Sequence, residues 1–205
     1  MIGLIDYGMG NLKSVYNAFD YLGEDVLICK SPDDLNLVDK IVIPGVGAFR
    51  DCISQLKNLK FDEALNNHVL KIKKPTLGIC LGMQVMAKKS FEFGEYKGLG
   101  WIDADVVKIE NNDKFKLPNI GWCEINQKQE HFLWDGIKDK SDFYLVHSYY
   151  LKCNDNGQIL ADYFLGESSI TAAVIKNNIV ATQFHPEKSQ DIGLKFLSNF
   201  VNWQP

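Results

Sequence analysis

Three short stretches of this chain carry residues whose types and spacing suit covalent chemistry. In Pro75-Thr76-Leu77-Gly78-Ile79-Cys80-Leu81-Gly82-Met83-Gln84, an apolar run ends in Gly-x-Cys-x-Gly. A strand that doubles back into a helix this quickly needs Gly78 and Gly82, where a Cβ would crowd the turn, and it lifts the central side chain above the sheet edge. Helix N-terminal N–H groups near Cys80 would favour its thiolate, the attacking form of cysteine. Taken alone, Cys80 also fits a small buried residue in a tight turn. In Phe184-His185-Pro186-Glu187, the proline stiffens the chain after an apolar strand, and Glu187 can reach back to set the imidazole tautomer. A cysteine nucleophile needs such a base, and the base needs such a partner. Cys80, His185 and Glu187 therefore form a candidate catalytic set. In Pro44-Gly45-Val46-Gly47, the glycines around Val46 free backbone amides to point outward, as stabilising an oxyanion requires.

The remaining histidines sort by context. His147 follows Phe143-Tyr144-Leu145-Val146 at another strand end and leads into Ser148-Tyr149. His68, in a polar helical stretch, and His131, beside Gln129 and Glu130, read as solvent-facing. The Tyr7-Gly8-Met9-Gly10-Asn11 loop looks like a phosphate cradle but lacks the third glycine or the lysine that such motifs need.

These residues must be held by a regular frame. Met1–Asp6, Asp25–Cys29, Lys40–Ile43 and the run before Cys80 read as strands. Helical patterns intervene: Leu12 to Leu22 with Asn11 as N-cap, a start at Ser31-Pro32-Asp33-Asp34, Phe49 to Leu56, Phe61 to Ile72, and Leu81 to Lys89. This alternation predicts an α/β fold, a mostly parallel sheet covered by helices on both faces, with the cysteine at a strand's C-terminal end. After Lys89, short strand-like runs follow at Ile102–Ile109, Ile120–Ile125, Phe143–Val146, Ile159–Phe164, Ile170–Ile175 and Ile179–Phe184. Turn sequences such as Asn111-Asn112-Asp113, Asp155-Asn156-Gly157 and Asn177-Asn178 separate them, so this half is expected to be largely antiparallel, extending or flanking the central sheet. Gln190–Trp203 closes as an amphipathic helix, with Ile192, Phe196, Leu197 and Phe200 on one face.

Composition narrows the function classes. A length of 205 residues without linker, repeat or low-complexity segment fits a single domain spanning 1–205. The formal net charge of −4 disfavours nucleic acid and anionic membrane as partners. The apolar N-terminus is short and meets Asp6 at once, unlike a signal peptide, and no run reaches membrane-spanning length. Five cysteines in no metal-binding spacing read as reduced thiols of a cytoplasmic protein, with no metal and no cofactor.

The ordered set Pro-Gly-Val-Gly (44–47), Gly-Ile-Cys-Leu-Gly-Met-Gln (78–84) and Phe-His-Pro-Glu (184–187) resembles the triad-type, class I glutamine amidotransferases. Asp6-Tyr7-Gly8-Met9-Gly10-Asn11-Leu12, Val146-His147-Ser148-Tyr149 and Lys188-Ser189 narrow the resemblance to the glutaminase subunits of imidazole glycerol phosphate synthase. The resemblance implies that Cys80 attacks the side-chain amide of glutamine. His185, held by Glu187, then protonates the departing ammonia and activates water. Amides of Val46, Gly47 and Leu81 would form the oxyanion hole, and Gln84, His147, Ser148 and Tyr149 would hold the α-groups of glutamine. It further implies a heterodimer in which ammonia passes to a (β/α)₈-barrel cyclase, contacted by Gly10, Asn11, Trp122 and Lys188. The plainer readings are core packing for Trp122 and a solvated charge for Lys188.

One stretch departs from the family's usual Pro-His-x-Gly-Trp-Asn. Here it reads Pro118-Asn119-Ile120-Gly121-Trp122-Cys123, which is expected to alter the partner-facing surface. The same chemistry would also serve a paralogue that feeds ammonia to the amidation of a surface-glycan sugar. A stand-alone elbow-cysteine hydrolase or peptidase is the rival from another class, against which Gln84 and the Pro-Gly-Val-Gly loop argue.

Overall fold

The computed structural model describes residues 1–110 and 116–205. The expected turn at Asn111-Asn112-Asp113 lies outside the described residues. The first half alternates as β1 (Ile2–Ile5), α1 (Leu12–Tyr21), β2 (Val26–Cys29), β3 (Lys40–Gly45), α2 (Phe49–Asn58), α3 (Phe61–Leu65), β4 (Thr76–Cys80) and α4 (Leu81–Gln84). β2, β1, β3 and β4 lie side by side in that order, all parallel. β1, β3 and β4 are covered on both faces, which is why their sequences are unbroken apolar runs and not alternating ones. Along β3, Val42 enters one core with α1 and α5 residues, whereas Ile41 and Ile43 enter the other with α2 and α3.

The second half runs β5 (Ala87–Ser90), β6 (Tyr96–Lys97), β7 (Ile102–Lys108), β8 (Asn119–Gln127), β9 (Ser141–His147), β10 (Tyr149–Cys153), β11 (Ile159–Leu165), β12 (Ser168–Lys176), β13 (Ile179–Thr182) and α5 (Gln190–Asn202). Among the described residues the main sheet has nine strands, ordered β2-β1-β3-β4-β13-β12-β11-β8-β9, and β10-β7-β5-β6 form a second sheet. β13 returns parallel to β4, and from there outward the pairing is antiparallel. The second half, largely antiparallel but with β5 and β7 parallel in the second sheet, thus both extends and flanks the central sheet. No helix among the described residues is long and apolar enough to cross a membrane.

Several local expectations need correction. The helix expected over Leu81–Lys89 stops at Gln84, and Ala87–Ser90 is a strand. Carbonyls of Val85, Met86 and Ala87 accept from Leu99, Trp101 and Gly100, so tertiary bonds replace those of a continuing helix. The helix from Phe61 widens at Asn66–Lys71 into a π-helical turn that carries His68 and Val69 inward. His68 is 5% exposed, not solvent-facing. The last sheet strand ends at Thr182 and not at Phe184, because the Thr182 hydroxyl donates to the Phe184 carbonyl at 2.9 Å and turns the chain. Asn11 stands at the start of α1 but makes no capping bond with its side chain. His131 is half-buried, its Nδ1 accepting from Leu133 N–H at 3.2 Å.

The tightest packing is where α4 leaves β4. A Cβ on Gly82 would lie 1.8 Å from the Ile43 carbonyl oxygen, and one on Gly78 would lie 2.8 Å from the Gly82 oxygen. The neighbour at Gly82 is backbone and cannot swing aside. Gly82→Ala is therefore expected to cost about 3 kcal/mol, a fall in Tm of roughly 6–12 °C for a chain of this size. Thermal melting checks it, and a melt within a degree of wild type would show that β3 yields there.

Candidate active site

The close contact at Gly82 sets the conformation of its neighbour. Cys80 has φ 55° and ψ −110°, a strained combination for a residue with a Cβ, as expected at a strand–helix elbow that exposes a nucleophile. Its sulfur lies 4.0 Å from the Val146 carbonyl and 3.6 Å from Nε2 of Gln183.

The turn after β13 supplies a base with an orienting partner. His185 Nδ1 donates to Glu187 Oε1 at 2.8 Å, and the two side chains are 2% and 1% exposed. The histidine backbone is fixed too: its N–H donates to the Tyr144 carbonyl, and its carbonyl accepts from the Ser189 hydroxyl at 2.7 Å. With Nδ1 committed, Nε2 is the free nitrogen, buried and without a fully formed hydrogen bond. Burial works against a charged ring, but hydrogen bonding to Cys80 and Glu187 and the negative charge of both outweigh it, and the pKa rises from 6.5 to about 10. His185 is therefore an imidazolium through the neutral range, charged by the sulfur it faces and the carboxylate behind it.

A cavity of about 340 Å³ opens over these groups and brings together Val46, Gly47, Cys80, Leu81, Gln84 and the 147–149 segment. Gly47 has φ +101°, in keeping with an amide loop that only glycine forms without strain. The Met9 side chain abuts Gly47, and Gly10 packs on Pro44, so the Gly8–Asn11 loop braces the amide loop from behind. Both N–H groups of Gln84 are committed, to the Tyr149 carbonyl at 2.9 Å and to Gln183 at 3.0 Å. The group left on Gln84 is its Oε1, an acceptor. His147 lines the cavity, but both its ring nitrogens are already bonded. Nδ1 meets the Tyr149 carbonyl at 2.8 Å and Nε2 meets the Tyr163 hydroxyl at 2.9 Å, and burial pushes the pKa down to about 4. What His147 can offer a bound molecule is its backbone.

A thiol on a strained elbow, a buried His–Glu pair and an amide loop around one cavity are the parts of a thiol acyl-transfer site. The chain matches the model of the family "Glutamine amidotransferase class-I" over residues 3–203. The chain belongs to the class-I glutamine amidotransferase family. It is 48% identical over 201 residues to imidazole glycerol phosphate synthase subunit HisH 1 of Campylobacter jejuni (strain RM1221), spanning 98% of this chain and 99% of that one. The HisH subunit of Pelagibacter ubique (strain HTCC1062) is 45% identical over 208 residues, again spanning 98% and 99%. The structure titled PurLQS from Thermotoga maritima superposes with a TM-score of 0.77 at 17% identity, covering 98% of this chain and 97% of that one. A crystal structure of a glutamine amidotransferase gives 0.73 at 19% identity, covering 98% of both chains. At those identities the structural likeness speaks for the shared α/β amidotransferase fold.

In this amidotransferase, Glu92 also lines the cavity, which motif reading missed because the residue follows β5 in a loop without a motif. Its Oε2 accepts from the Phe49 N–H at 2.6 Å, which holds a carboxylate at the cavity wall. Trp122 is 47% exposed and packs edge-on against Tyr144 at 6.0 Å, and Lys188 lies over the same tyrosine ring at 5.9 Å. Core packing of Trp122 is thereby ruled out, and Lys188 is tied to the tyrosine as well as to the cavity rim. The pleat of β8 sends Ile120 and Trp122 outward and leaves Asn119 and Cys123 half-buried. Asn119 Nδ2 donates to the Tyr163 hydroxyl at 3.1 Å and to the Cys123 sulfur at 3.6 Å. The residues that depart from the family pattern thus take part in an internal network.

Because the folded pKa of His185 lies above its ordinary 6.5, its pairing stabilises the fold fully below about pH 6.5, and this contribution is lost as pH rises through the folded value. Glu187→Gln keeps the shape but removes the charge, so the imidazole titration, followed by NMR, is expected to move down by roughly one unit or more. The alkaline loss of stability should shrink with it. An unmoved titration would mean that the Glu187 charge does not hold the proton.

Proposed function

We propose that this chain is the glutaminase subunit of an imidazole glycerol phosphate synthase, supplying ammonia for histidine biosynthesis. The observation that carries the reading is the end-to-end match, at 40–48% identity, to subunits of that name. The grouping of Cys80 and His185 on one cavity, with Glu187 bonded to the histidine behind it, supports it at the level of chemistry.

The Cys80 sulfur attacks the amide carbon of glutamine. Amides of Val46, Gly47 and Leu81 receive the oxyanion. As the intermediate collapses, the C–N bond breaks and Nε2 of the His185 imidazolium passes its proton to the leaving ammonia. The acyl group stays on sulfur as a γ-glutamyl thioester. Sulfur has then lost the charge that helped hold His185 protonated, so the neutral ring becomes a base for water, and hydrolysis releases glutamate. Gln84 Oε1 and the Glu92 carboxylate suit the α-ammonium of glutamine, an acceptor and an anion facing a cation. The backbone of the 147–149 segment, with Ser148 and Tyr149, accounts for the remaining contacts to the amino-acid end.

The partner is a (β/α)₈-barrel cyclase that takes the ammonia. The exposed Trp122 and Lys188, both packed on half-buried Tyr144, support a docking face beside the cavity, with Gly10 and Asn11 behind the amide loop as its other contact. The chain is read as one amidotransferase domain, which the family match over residues 3–203 supports. Its five unpaired cysteines support a reducing, cytoplasmic setting.

The test is glutamine hydrolysis by the purified chain with and without a cyclase subunit and its ribotide ligand. Strong stimulation by the liganded partner is expected, together with loss of activity to background in Cys80→Ala. Stable absence of both complex and stimulation would move the ammonia acceptor elsewhere. In the complex, Trp122→Ala is expected to weaken partner affinity by about 2 kcal/mol, in the range of an exposed aromatic anchor, while Cys80 alkylation of the free chain stays unchanged. Titration calorimetry reads the first, and unchanged affinity would remove Trp122 from the interface.

A further inference from the structure

We infer that Gln183 is a positioning residue for the nucleophile: its side-chain amide donates to the Cys80 sulfur, in an orientation dictated by a hydrogen-bond chain that begins at the Tyr149 carbonyl. The inference rests on the reading of Cys80 as the nucleophile, and nothing in the reaction above uses Gln183. The residue is fully buried one position beyond β13, with Nε2 3.6 Å from the sulfur and Oε1 3.0 Å from Gln84 Nε2.

An amide oxygen and an amide nitrogen have nearly the same shape, so the direction of such bonds must come from the network around them. The Tyr149 carbonyl can only accept. The Gln84 group lying 2.9 Å from it is therefore the NH₂. The second N–H of that group points at Gln183, whose facing atom must be the oxygen. What remains on Gln183, directed at the sulfur, is NH₂. The same carbonyl takes Nδ1–H of His147, which makes Nε2 of that neutral ring the acceptor for the Tyr163 hydroxyl. The hydroxyl oxygen in turn accepts from Asn119. One carbonyl with two occupied lone pairs thus sets every donor direction from β8 to the sulfur.

A donor aimed at sulfur stabilises the thiolate more than the thiol, whereas a carbonyl oxygen in its place would repel the thiolate. Titratable groups surround the sulfur on several elements: Tyr7 after β1, Glu92 after β5, His147 at the end of β9, and His185, Glu187 and Lys188 beyond β13. Gln183 adds a neutral donor to this set, and replacing it leaves those groups in place.

The test is the pH profile of iodoacetamide alkylation of Cys80, read by mass spectrometry on the Cys80 peptide so that the other cysteines do not contribute. Circular dichroism and thermal melting run beside it. Gln183→Glu keeps the size and the oxygen that accepts from Gln84 but turns an anionic oxygen toward sulfur. Its midpoint is expected to rise, with a rate at pH 7 about tenfold lower. Gln183→Leu removes the donor without adding charge, and a smaller fall of about two- to tenfold is expected. If the leucine chain does not fold, the near-isosteric glutamate chain decides. Gln84→Leu leaves Gln183 in place but frees its amide, and a rise in midpoint is expected there too. An unmoved profile in folded Gln183→Glu overturns the donor. An unmoved profile in folded Gln84→Leu overturns the claim that Tyr149 sets its direction. Alkylation needs neither glutamine nor a partner, so absence of glutamine hydrolysis in the wild type would overturn the proposed function and leave this assignment standing.

Discussion

Backbone of α4 meets backbone of β3 at Gly82, close enough that the Ile43 carbonyl occupies the space a Cβ would need. The rest of the site follows from that approach. It forces the chain to reverse directly after β4, which puts Cys80 at positive φ with its sulfur above the C-terminal edge of the sheet. It also brings the Leu81 amide beside the loop that follows β3, since Gly45 and Cys80 are register partners. The strain at Cys80 is held because β4 lies in the middle of the sheet, paired on both edges and buried on both faces.

Electrostatics completes what the elbow begins. A buried histidine would ordinarily shed its proton, and His147 does so because its neighbours ask only for a neutral ring. His185 lies in the same region and keeps its proton, since a carboxylate and a sulfur face its two nitrogens. The two rings are told apart by their partners and not by burial: a carbonyl and a hydroxyl at one, a carboxylate and a sulfur at the other. That contrast makes one histidine a neutral part of the frame and leaves the other charged.

The antiparallel extension has its own part in the site. β9 delivers His147 and the following segment to the cavity wall, and β8 beside it carries Asn119 inward and Trp122 outward on successive faces of one pleat. Ser189 ties this region to the base, accepting from the Tyr144 N–H at 3.0 Å while donating to the His185 carbonyl. A change in β8 or β9 therefore has a short mechanical path to His185.

Much of this was legible in the chain. Apolar runs separated by helical periodicity determined the parallel half, because strands buried on both faces leave an unmistakable pattern. The elbow glycines, the stiffened His-Pro-Glu and the glycine-flanked Val46 are local devices, and local devices can be read locally. The end of the elbow helix at Gln84 was not legible, since distant N–H groups of residues 99–101 capture the carbonyls of the residues that follow it. Nor was the inward turn of His68, the internal role of Asn119 or the presence of Glu92 at the cavity. Gln183 was hidden for the same reason: its amide has a direction only because residues 84 and 149 meet it in space. The sequence by itself determined which candidate groups stand together and which strand ends carry them. Tertiary structure alone decided their protonation and hydrogen-bond direction, because those depend on partners that lie far apart in the chain.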